Sequence, residues 1–555
     1  MREVNDRTDL VEVYRQFDGR CVEVGDRMAH RREYETESFV PSIAEKEEMA
    51  RKYCGLLDEA KALPTPDPVF TLLNTHFQDF LNARLSDLET TFVRPGRFVD
   101  GFTQLIEFTA RHDSRSAGER QSILSKRLAT ADEVWKGTKS LFPHTQDDEI
   151  NEVVEAAEVL ERTASQARDR VAEDFRGLSD SSLEALRKAY DDIGNKAFQW
   201  AKEARCALAE RPKGSKMSDS VTKEPDIPRY RVLLQDELGV SLDSILQWHQ
   251  EEVDKTREEC FEIASKLNLG ATPHPKNMAG VADILNKFEG PCDTPDEMFL
   301  RQRGYLDRAQ AECRKYIRMP EEHVNVIPTP EHYKDNHPWG GYYGGCPRRR
   351  PISGATHLNV DNYKAVTDGW IRMCAIHECY PGHHMQWVRS VLDPLPETVK
   401  MGAKGMPLFE GTAHRSERLF EYVFPDDPFY PLFVAYRRHH TATRIKADLW
   451  LMYFGRPIDD VVQLYMDEMG FDRWTARGQV KAQELMVGYF NCYYYGMKRL
   501  EELEAKYGYD KRTFTEYLFS MPRVSLETFE RFLELHPEDK RRVLNDFPSV
   551  YMGKE

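Results

Sequence analysis

The sequence predicts a mainly α-helical fold with a few short strands, and three observations carry this prediction. Apolar residues recur at helical spacing, without proline, over long stretches of the first two hundred residues. Helical patterns return from residue 367 and continue towards the end of the chain. Strand-like runs are few, and no repeat of fixed period divides the sequence.

Two long helices are expected in the N-terminal part. Residues 153–175 (VVEAAEVLERTASQARDRVAEDF) place apolar side chains on one helical face, and a second such stretch runs to about residue 207. Asp180, Ser181 and Ser182 mark the expected start of the second helix. Ser181, with Glu184 three residues later, fits a capping box.

Two segments interrupt the helical pattern. Residues 209–229 are rich in Pro, Gly, Lys and Ser and are the best candidate for a linker or long surface loop; a helical block follows at 236–268. Residues 328–362 are rich in Pro, Gly, Tyr and Asn, which predicts a long loop ending in a short strand around Thr356–Val360. We expect an N-terminal helical lobe, residues 1–220, and a C-terminal lobe that carries the functional site, residues 221–555, packed as one compact unit.

Composition narrows the class of protein and its partners. The 555 residues are 40% hydrophobic and 31% charged, which is typical of a globular chain, and the net charge is -16. An acidic surface disfavours nucleic acid and anionic membrane as main partners. The ten cysteines form no CxxC pair, the first residues (MREVNDRTDLVEVY) lack an apolar signal core, and no apolar run is long enough for a membrane helix. We therefore expect a cytoplasmic protein with reduced thiols.

The residues that carry chemistry lie in the segment 374–386 (CAIHECYPGHHMQ). Neutral imidazoles and carboxylates are the ligands of catalytic zinc sites. The adjacent His377 and Glu378 resemble the start of an H-E-x-x-H helix, in which the glutamate acts as base on metal-activated water. Pro381 stands where the second histidine of that motif would be, and His383 and His384 follow.

The spacing of the histidines leaves two assignments open. His384, seven residues after His377, returns to the same helical face but lies about 10.5 Å further along the axis. Pro381 and Gly382 are expected to break the helix, so that a kink folds one histidine back. We favour His377 and His383 as ligands, with His384 as a donor to the substrate or oxyanion. The exchange of His383 and His384 remains an alternative.

A third ligand is expected from the segment 408–417 (LFEGTAHRSE). Glu410 and Glu417 lie seven residues apart on one helical face, with His414 between them. We assign Glu410 as the third ligand, Glu417 as the group that orients His377, and His414 as its neighbour in this outer shell. One zinc ion per chain is expected, although such ligands also accept iron, manganese or cobalt.

Other charged and aromatic runs have less specific patterns. His439 and His440 lie in a basic helical stretch and are predicted to be a solvated face. The arginines at 348–350 are predicted to be loop surface, with a carboxylate clamp as the alternative. Tyr493 is a candidate for the pocket wall, although aromatic runs are more often core.

These residues resemble a family of uncharacterised bacterial and fungal proteins, a domain of unknown function. Its signature is H-E-x-x-P-G-H-H-x-Q followed by E-G-W-A-x-Y-x-E. Residues 377–386 match the first part in full, and the second part is matched at four positions, with Thr412 in place of the tryptophan. The resemblance implies a large helical fold of the zinc metallopeptidase type called gluzincin.

The same resemblance extends to residues outside the two signatures. Arg350-Pro351 and Asn359 look like the family's arginine-proline and the asparagine after its strand, and Arg444 and Asp448 fit a later pair. Met452 stands where relatives carry a histidine. The resemblance implies Arg350, Asn359 and Arg444 as substrate-binding residues, and the changed positions indicate a kept metal site with an altered substrate pocket.

Three functions follow as hypotheses. The first is a zinc-dependent hydrolase that cleaves an amide bond in a short peptide or amino-acid conjugate, with Glu378 as base. Its oxyanion would be stabilised by His384 or by a tyrosine, namely Tyr342, Tyr343 or Tyr493. The second is a non-hydrolytic, metal-dependent biosynthetic enzyme that performs condensation, cyclisation or elimination on an amino-acid-derived small molecule. The third is a binding protein with a vestigial site, which the intact His-Glu pair argues against.

Overall fold

The chain folds into helices that surround one small sheet. A computed structural model describes residues 7–27, 36–92, 94–113, 115–211, 225–330, 334, 337–345, 347, 350–419 and 423–543. The helices are α1 (Arg7–Glu23), α2 (Ile43–Ala62), α3 (Pro68–Phe92), α4 (Gly96–Glu107), α5 (Ala117–Ala129), α6 (Ala131–Ser140), α7 (Asp147–Asp174), α8 (Asp180–Glu210), α9 (Ile227–Val232), α10 (Leu242–Lys266), α11 (Met278–Phe288), α12 (Pro295–Cys313), α13 (Asp368–Cys374), α14 (His383–Leu392), α15 (Glu397–Met401), α16 (Met406–Glu417), α17 (Tyr430–Met452), α18 (Ile458–Met469), α19 (Arg473–Leu485), α20 (Asn491–Tyr507), α21 (Lys511–Ser520) and α22 (Leu526–Glu534). The mainly α-helical prediction is confirmed.

Three strands form the sheet: β1 (Glu322–Pro328), β2 (Gly340–Gly344) and β3 (Ile352–Leu358). Their order is β1-β3-β2, with β1 parallel and β2 antiparallel to the central β3. The predicted strand at Thr356–Val360 was placed too late, and β2 was missed because a glycine-rich run has low strand propensity. These glycines have a steric reason, since a Cβ atom on Gly340 would lie 2.3 Å from the carbonyl oxygen of His357.

The predicted helical stretches correspond to α7, α8 and α10, but the cap of α8 was wrong. Ser179 is the N-cap and its side chain accepts a hydrogen bond from the backbone N–H of Ser182. Residues 179–181 are Ser, Asp and Ser, all of which are favoured at the N-cap, so residue type alone does not show which of them caps the helix. The predicted boundary at residue 220 lies outside the described residues.

Two hydrophobic cores organise the N-terminal half. Helices α4 to α8 enclose a core of their own, which includes Phe102, Trp135 and Trp200. Helices α1 to α3 instead share a core with the C-terminal half. Asp18 of α1 illustrates this connection, because it accepts hydrogen bonds from the backbone N–H groups at the start of α15.

Helix α17 is buried along almost its whole length. His439 and His440 are fully buried, so their prediction as a solvated face was wrong. The helix packs against α10, α18 and α20, and several of its polar side chains hydrogen-bond to residues of neighbouring helices. His440, for example, lies 3.2 Å from the Gln479 side chain of α19.

Helices α16 and α20 cross at very short range because glycine lies at the contact on both sides. A Cβ atom on Gly411 would lie 2.4 Å from the Gly496 backbone, and one on Gly496 would lie 1.8 Å from the Pro407 carbonyl oxygen. This crossing brings the aromatic residues near the start of α20 against the middle of α16. No helix in the described part of the chain has the length and apolar character needed to cross a membrane.

Candidate metal centre

A break in the helical backbone brings two histidines together. Helix α13 continues into a π-helical turn at Ala375–Cys379, and α14 begins at His383. Gly382 allows the chain to fold back, because a Cβ atom there would lie 1.9 Å from the His377 carbonyl oxygen. The His377 and His383 rings consequently lie 4.8 Å apart.

Helix α16 adds a carboxylate to this pair. The Oε2 atom of Glu410 lies 3.6 Å from Nε2 of His377 and 3.3 Å from Nε2 of His383. One donor atom from each of the three residues lies within 4.8 Å of the other two. All three residues are buried, with exposed fractions of 2%, 8% and 1% for His377, His383 and Glu410.

The electrostatics of the three residues fit a cation. Burial alone would lower the pKa of His377, but the neighbouring Glu410 and Glu417 carboxylates raise it to about 9. Burial would raise the pKa of Glu410, but the His383 and His377 imidazoles hold it below its usual range. The Oε2 atom of Glu410 is buried and has no hydrogen-bond partner among the described residues. Two imidazoles and a carboxylate are the protein donors of a catalytic zinc site, and an orphaned buried oxygen is the group that a metal would satisfy.

Each imidazole is oriented by a partner at its other nitrogen. Nδ1 of His377 lies 2.8 Å from Oε1 of Glu417, and Nδ1 of His383 lies 2.8 Å from Oε1 of Gln386. Gln386 also donates to the Phe409 carbonyl oxygen at 2.9 Å, which ties α14 to α16. Because Nδ1 of each ring is already paired, Nε2 of each ring faces Glu410 and is the nitrogen that a metal would take in exchange for a proton.

Glu417 and His414 form an outer layer behind His377. Oε2 of Glu417 lies 3.0 Å from Nδ1 of His414, and Arg437 lies 3.7 Å from Oε1. Burial would raise the pKa of Glu417, but His414 and Arg437 hold it below its usual range. Nε2 of His414 lies 2.8 Å from the Thr441 hydroxyl of α17, which fixes the ring. Glu417 and His414 thus lie behind the candidate ligand His377, the position that was predicted for them from the sequence.

His384 points away from the three candidate ligands. Its Nε2 lies 2.6 Å from Oε2 of Glu322 in β1, and its Nδ1 lies 2.9 Å from the Tyr342 hydroxyl. Tyr380 and Gln310 also donate to Glu322, at 2.8 and 2.6 Å. With both ring nitrogens engaged, His384 has no free donor for a substrate, and the geometry favours His383 as the ligand.

Glu378 and Tyr493 lie at the open side of the site. Glu378 is partly exposed, and its carboxylate makes no hydrogen bond or ion pair with the described residues. Its negative charge contributes to the raised pKa of His377 and to the raised pKa of Tyr493. The Tyr493 ring stacks on His377 with centroids 5.8 Å apart, and its hydroxyl donates to that of Tyr489 at 3.4 Å.

The remaining predicted residues lie at varying distance from this centre. Tyr343 packs on His357 in the sheet. Arg350 is exposed and donates to the Pro347 carbonyl oxygen at 2.8 Å. Asn359 is buried, and its amide bonds four backbone groups of the surrounding loop, so the structure gives it a role in holding that loop.

Arg444 lies nearest of the predicted substrate-binding residues. It is 6% exposed, its guanidinium stacks on Phe490 and Tyr493, and it donates to Gln479 at 2.9 Å. Burial, with Arg437 nearby, lowers the pKa of Arg444 to about 10.

Sequence reasoning missed residues that complete the site. Tyr489 donates a hydrogen bond to Oε1 of Glu410, and Phe409 stacks on His383 with ring centroids 4.5 Å apart. Glu322, which engages His384, lies some sixty residues upstream and carried no local signal. Tyr489 lies in the turn just before α20, four residues before Tyr493, and only its proximity in sequence to that tyrosine could have suggested it.

Comparison with known proteins gives a family and a fold. The model of the family described as "Bacterial protein of unknown function (DUF885)" matches residues 40–528. A crystal structure of a "putative lipoprotein" from Colwellia psychrerythraea superposes with a TM-score of 0.72 at 14% identity, covering 98% of this chain and 99% of that chain. A "putative lipoprotein of unknown function" from Shewanella oneidensis gives a TM-score of 0.69 at 15% identity, covering 96% and 100%. At these identities the likeness establishes the fold alone. No curated protein matches the sequence.

Proposed function

This chain belongs to the DUF885 family of bacterial proteins of unknown function, and we propose that it is a metal-dependent hydrolase that cleaves an amide bond in a short peptide or amino-acid conjugate. One observation carries the proposal. Three buried donors converge with an unsatisfied Glu410 oxygen between two oriented imidazoles, and an unengaged carboxylate, Glu378, lies beside them.

His377, His383 and Glu410 are the residues that would hold the metal, and zinc is the ion that this donor set suits best. A bound divalent metal would supply Lewis acidity, polarising an amide carbonyl and lowering the pKa of water. Glu417 and Gln386 orient the two imidazoles so that both Nε2 atoms face the same Glu410 oxygen. Such outer partners typically contribute about 10- to 100-fold to metal affinity or activity.

Glu378 is the proton carrier of the proposed reaction. It accepts a proton from the attacking water as the water oxygen bonds to the amide carbon, and it delivers that proton to the nitrogen as the C–N bond breaks. Its partial exposure and lack of partners among the described residues support this role. Each of the three other carboxylates around the site, Glu322, Glu410 and Glu417, has at least one oxygen engaged by a neighbouring side chain.

Tyr493 is the proposed donor to the developing oxyanion. Burial raises the pKa of Tyr493, so its hydroxyl stays protonated and can donate. Its ring is held parallel to His377 at an interplanar angle of 6°, which fixes the hydroxyl relative to the candidate ligands. His384 is a poorer donor for this step because Glu322 and Tyr342 occupy its nitrogens.

The narrow exposure of the site supports a small substrate. The His383 side chain is 10% exposed and that of His377 is 2% exposed. Groups so deeply covered favour a substrate of one or two residues over a folded polypeptide. The proposed substrates are accordingly dipeptides, short peptides and acylated amino acids.

A cytoplasmic location is part of the proposal, supported by the thiols. The cysteines of the described residues are all free, and most are buried. The structural neighbours carry lipoprotein descriptions, which makes location an open test for this chain. Fractionation of the native host should find the protein in the soluble cytoplasmic fraction, and recovery with membranes would contradict this part.

The function is tested by metal content and product mass. Elemental mass spectrometry should find about one zinc per wild-type chain, the usual stoichiometry of such a site, and near none in His377→Ala. Zinc-loaded protein incubated with dipeptides and acylated amino acids should yield products whose summed mass exceeds that of the substrate by one water. Glu378→Gln should keep the metal and lose about 10²- to 10⁴-fold in rate.

The same measurements can refute the proposal. A wild-type protein that takes up no metal when zinc is supplied would refute the metal centre. Substrate turnover without gain of water would instead support the biosynthetic alternative, a condensation, cyclisation or elimination. Full activity of Glu378→Gln would refute its role as base.

A further inference from the structure

Arg523 occupies a turn that is built to hold it beside the metal centre. It lies between α21 and α22, and its carbonyl oxygen accepts a hydrogen bond from Ala403 at 3.2 Å. Two glycines allow this contact. Gly402 has a φ of +88°, and a Cβ atom on Gly405 would lie 2.3 Å from the Arg523 carbonyl oxygen. The backbone position of Arg523 is therefore fixed by close packing.

The side chain of Arg523 reaches the wall of the site. Its guanidinium carbon lies 4.9 Å from the centre of the Phe409 ring, and that ring stacks on the candidate ligand His383. Burial lowers the pKa of Arg523, while Glu410 and Tyr489 are near enough to oppose this effect. The guanidinium thus lies within electrostatic range of the candidate metal ligands.

The charge of Arg523 has no counterion in the described part of the chain. Its guanidinium makes no hydrogen bond and no ion pair there. Glu410 is not its counterion, because Tyr489 donates to Oε1 of Glu410 and the two imidazoles face Oε2. An arginine remains charged even when partly desolvated, and its five donors then favour an incoming anion.

We propose that Arg523 binds a free carboxylate of the substrate, and that the substrates are N-acyl amino acids or short peptides whose free α-carboxylate follows the cleaved amide. This inference rests on the proposed function for the position of the cleaved bond. A guanidinium matches a carboxylate through two parallel hydrogen bonds. The Phe409 ring contacts both the guanidinium and His383, and one residue of extended chain spans about 3.3–3.6 Å, so we place the carboxylate about one residue beyond the cleaved amide.

Arg523 differs in this respect from the other arginines near the site. Arg437 is paired with Glu417, and Arg444 is bonded to Gln479. Arg350 is exposed on its loop. Arg523 alone among these four combines partial exposure, contact with the aromatic wall of the site and an unengaged guanidinium.

The test compares ligands that differ only in the carboxylate. A panel of N-benzoyl amino acids and the matching N-benzoyl amino acid amides is titrated into zinc-loaded full-length protein, with dissociation constants from saturation-transfer difference NMR. Wild type should bind the free acids about 10- to 100-fold more tightly than the amides, the range expected for a hydrogen-bonded charge pair. The ratio should fall to near one in Arg523→Gln and take an intermediate value in Arg523→Lys.

Arg456→Gln is the matched control, because Arg456 also stacks on an aromatic ring, that of Trp450, outside the site. It should keep the wild-type ratio, and all variants should keep the wild-type melting temperature and zinc content. A wild-type ratio near one would overturn the proposal. So would the absence of binding of either form, or an unchanged ratio in Arg523→Gln. Hydrolysis is followed separately in the same samples: a free-acid preference without cleavage keeps the carboxylate site and refutes the hydrolase.

Discussion

Two consecutive histidines, His383 and His384, belong to clusters of opposite character. The metal-site cluster, which comprises the candidate ligands His377, His383 and Glu410 together with Glu417, is open. In it, Nε2 of His383 lies 3.3 Å from a Glu410 oxygen that no described residue satisfies. The sheet-side cluster is closed, because both nitrogens of His384 and both oxygens of Glu322 have partners. Its members are His384, Glu322, Tyr342 and Tyr380.

The difference shows that tertiary contacts can give two adjacent residues of one motif different roles. Successive residues at the start of a helix point about 100° apart, so His383 faces α16 while His384 faces the sheet. A network of buried polar groups whose hydrogen bonds are all made stabilises the fold. Buried metal-ligating atoms without partners instead indicate a site that binds a ligand. His384 is therefore part of the network that holds α14 in place, whereas His383 is left available for the proposed metal.

The largest expected effect separates the two histidines by metal content. His383→Ala removes one of three donors, and we expect the zinc-to-chain ratio to fall from about one to near zero. His384→Gln keeps a side chain that can bond Glu322 and should retain the metal. Elemental mass spectrometry after exhaustive dialysis measures both, and circular dichroism checks that both variants are folded. Loss of zinc from folded His384→Gln, with retention in His383→Ala, would reverse the comparison.

The sequence predicted the local parts of this comparison well. The helical class and the break at Pro381–Gly382 follow from spacing and backbone chemistry, whereas the pairing of segments 374–386 and 408–417 was predicted by analogy with other His-Glu metal sites. A kink at a proline and glycine is a local property, and the structure has it where expected. Glu410 and Glu417 share a helical face for the same reason.

What the sequence could not show depends on contacts distant along the chain. Glu322 reaches His384 from β1, and Arg523 reaches Phe409 from a turn near the end of the chain. The same limit explains the error at His439 and His440. A basic run predicts a solvated face only when no other helix packs on it. Helix α17 is buried almost throughout, and its own sequence does not show which helices cover it.

A smaller effect is expected when the partner of a ligand is changed. Glu417→Gln keeps an oxygen that can accept from Nδ1 of His377 but removes the charge, so zinc affinity should fall by about 10- to 100-fold. Competition with a chromophoric chelator measures the affinity. Glu504→Gln is the control, since Glu504 pairs with Arg415 of the same helix α16 but contacts no candidate ligand. Equal affinity in Glu417→Gln and wild type would remove Glu417 from the metal-site cluster.

The smallest expected effect concerns the closed cluster and its dependence on pH. Burial would raise the pKa of Glu322, but hydrogen bonds from His384, Tyr380 and Gln310 lower it below its ordinary value of 4.5. A lowered folded-state pKa means that the ionised form stabilises the fold above about pH 4.5 and that this contribution is lost as the pH falls through the folded-state pKa.

Glu322→Gln should accordingly lower the free energy of unfolding by about 1 kcal/mol at neutral pH, the scale of one buried hydrogen bond, with zinc binding unchanged. Urea unfolding at a series of pH values measures the difference from wild type, which should shrink below pH 4.5. Glu321→Gln is the matched control, because Glu321 is the exposed neighbour of Glu322 and should show almost no difference at any pH. A loss of zinc in Glu322→Gln without loss of stability would contradict the division, because the closed cluster would then act on the metal and not on the fold.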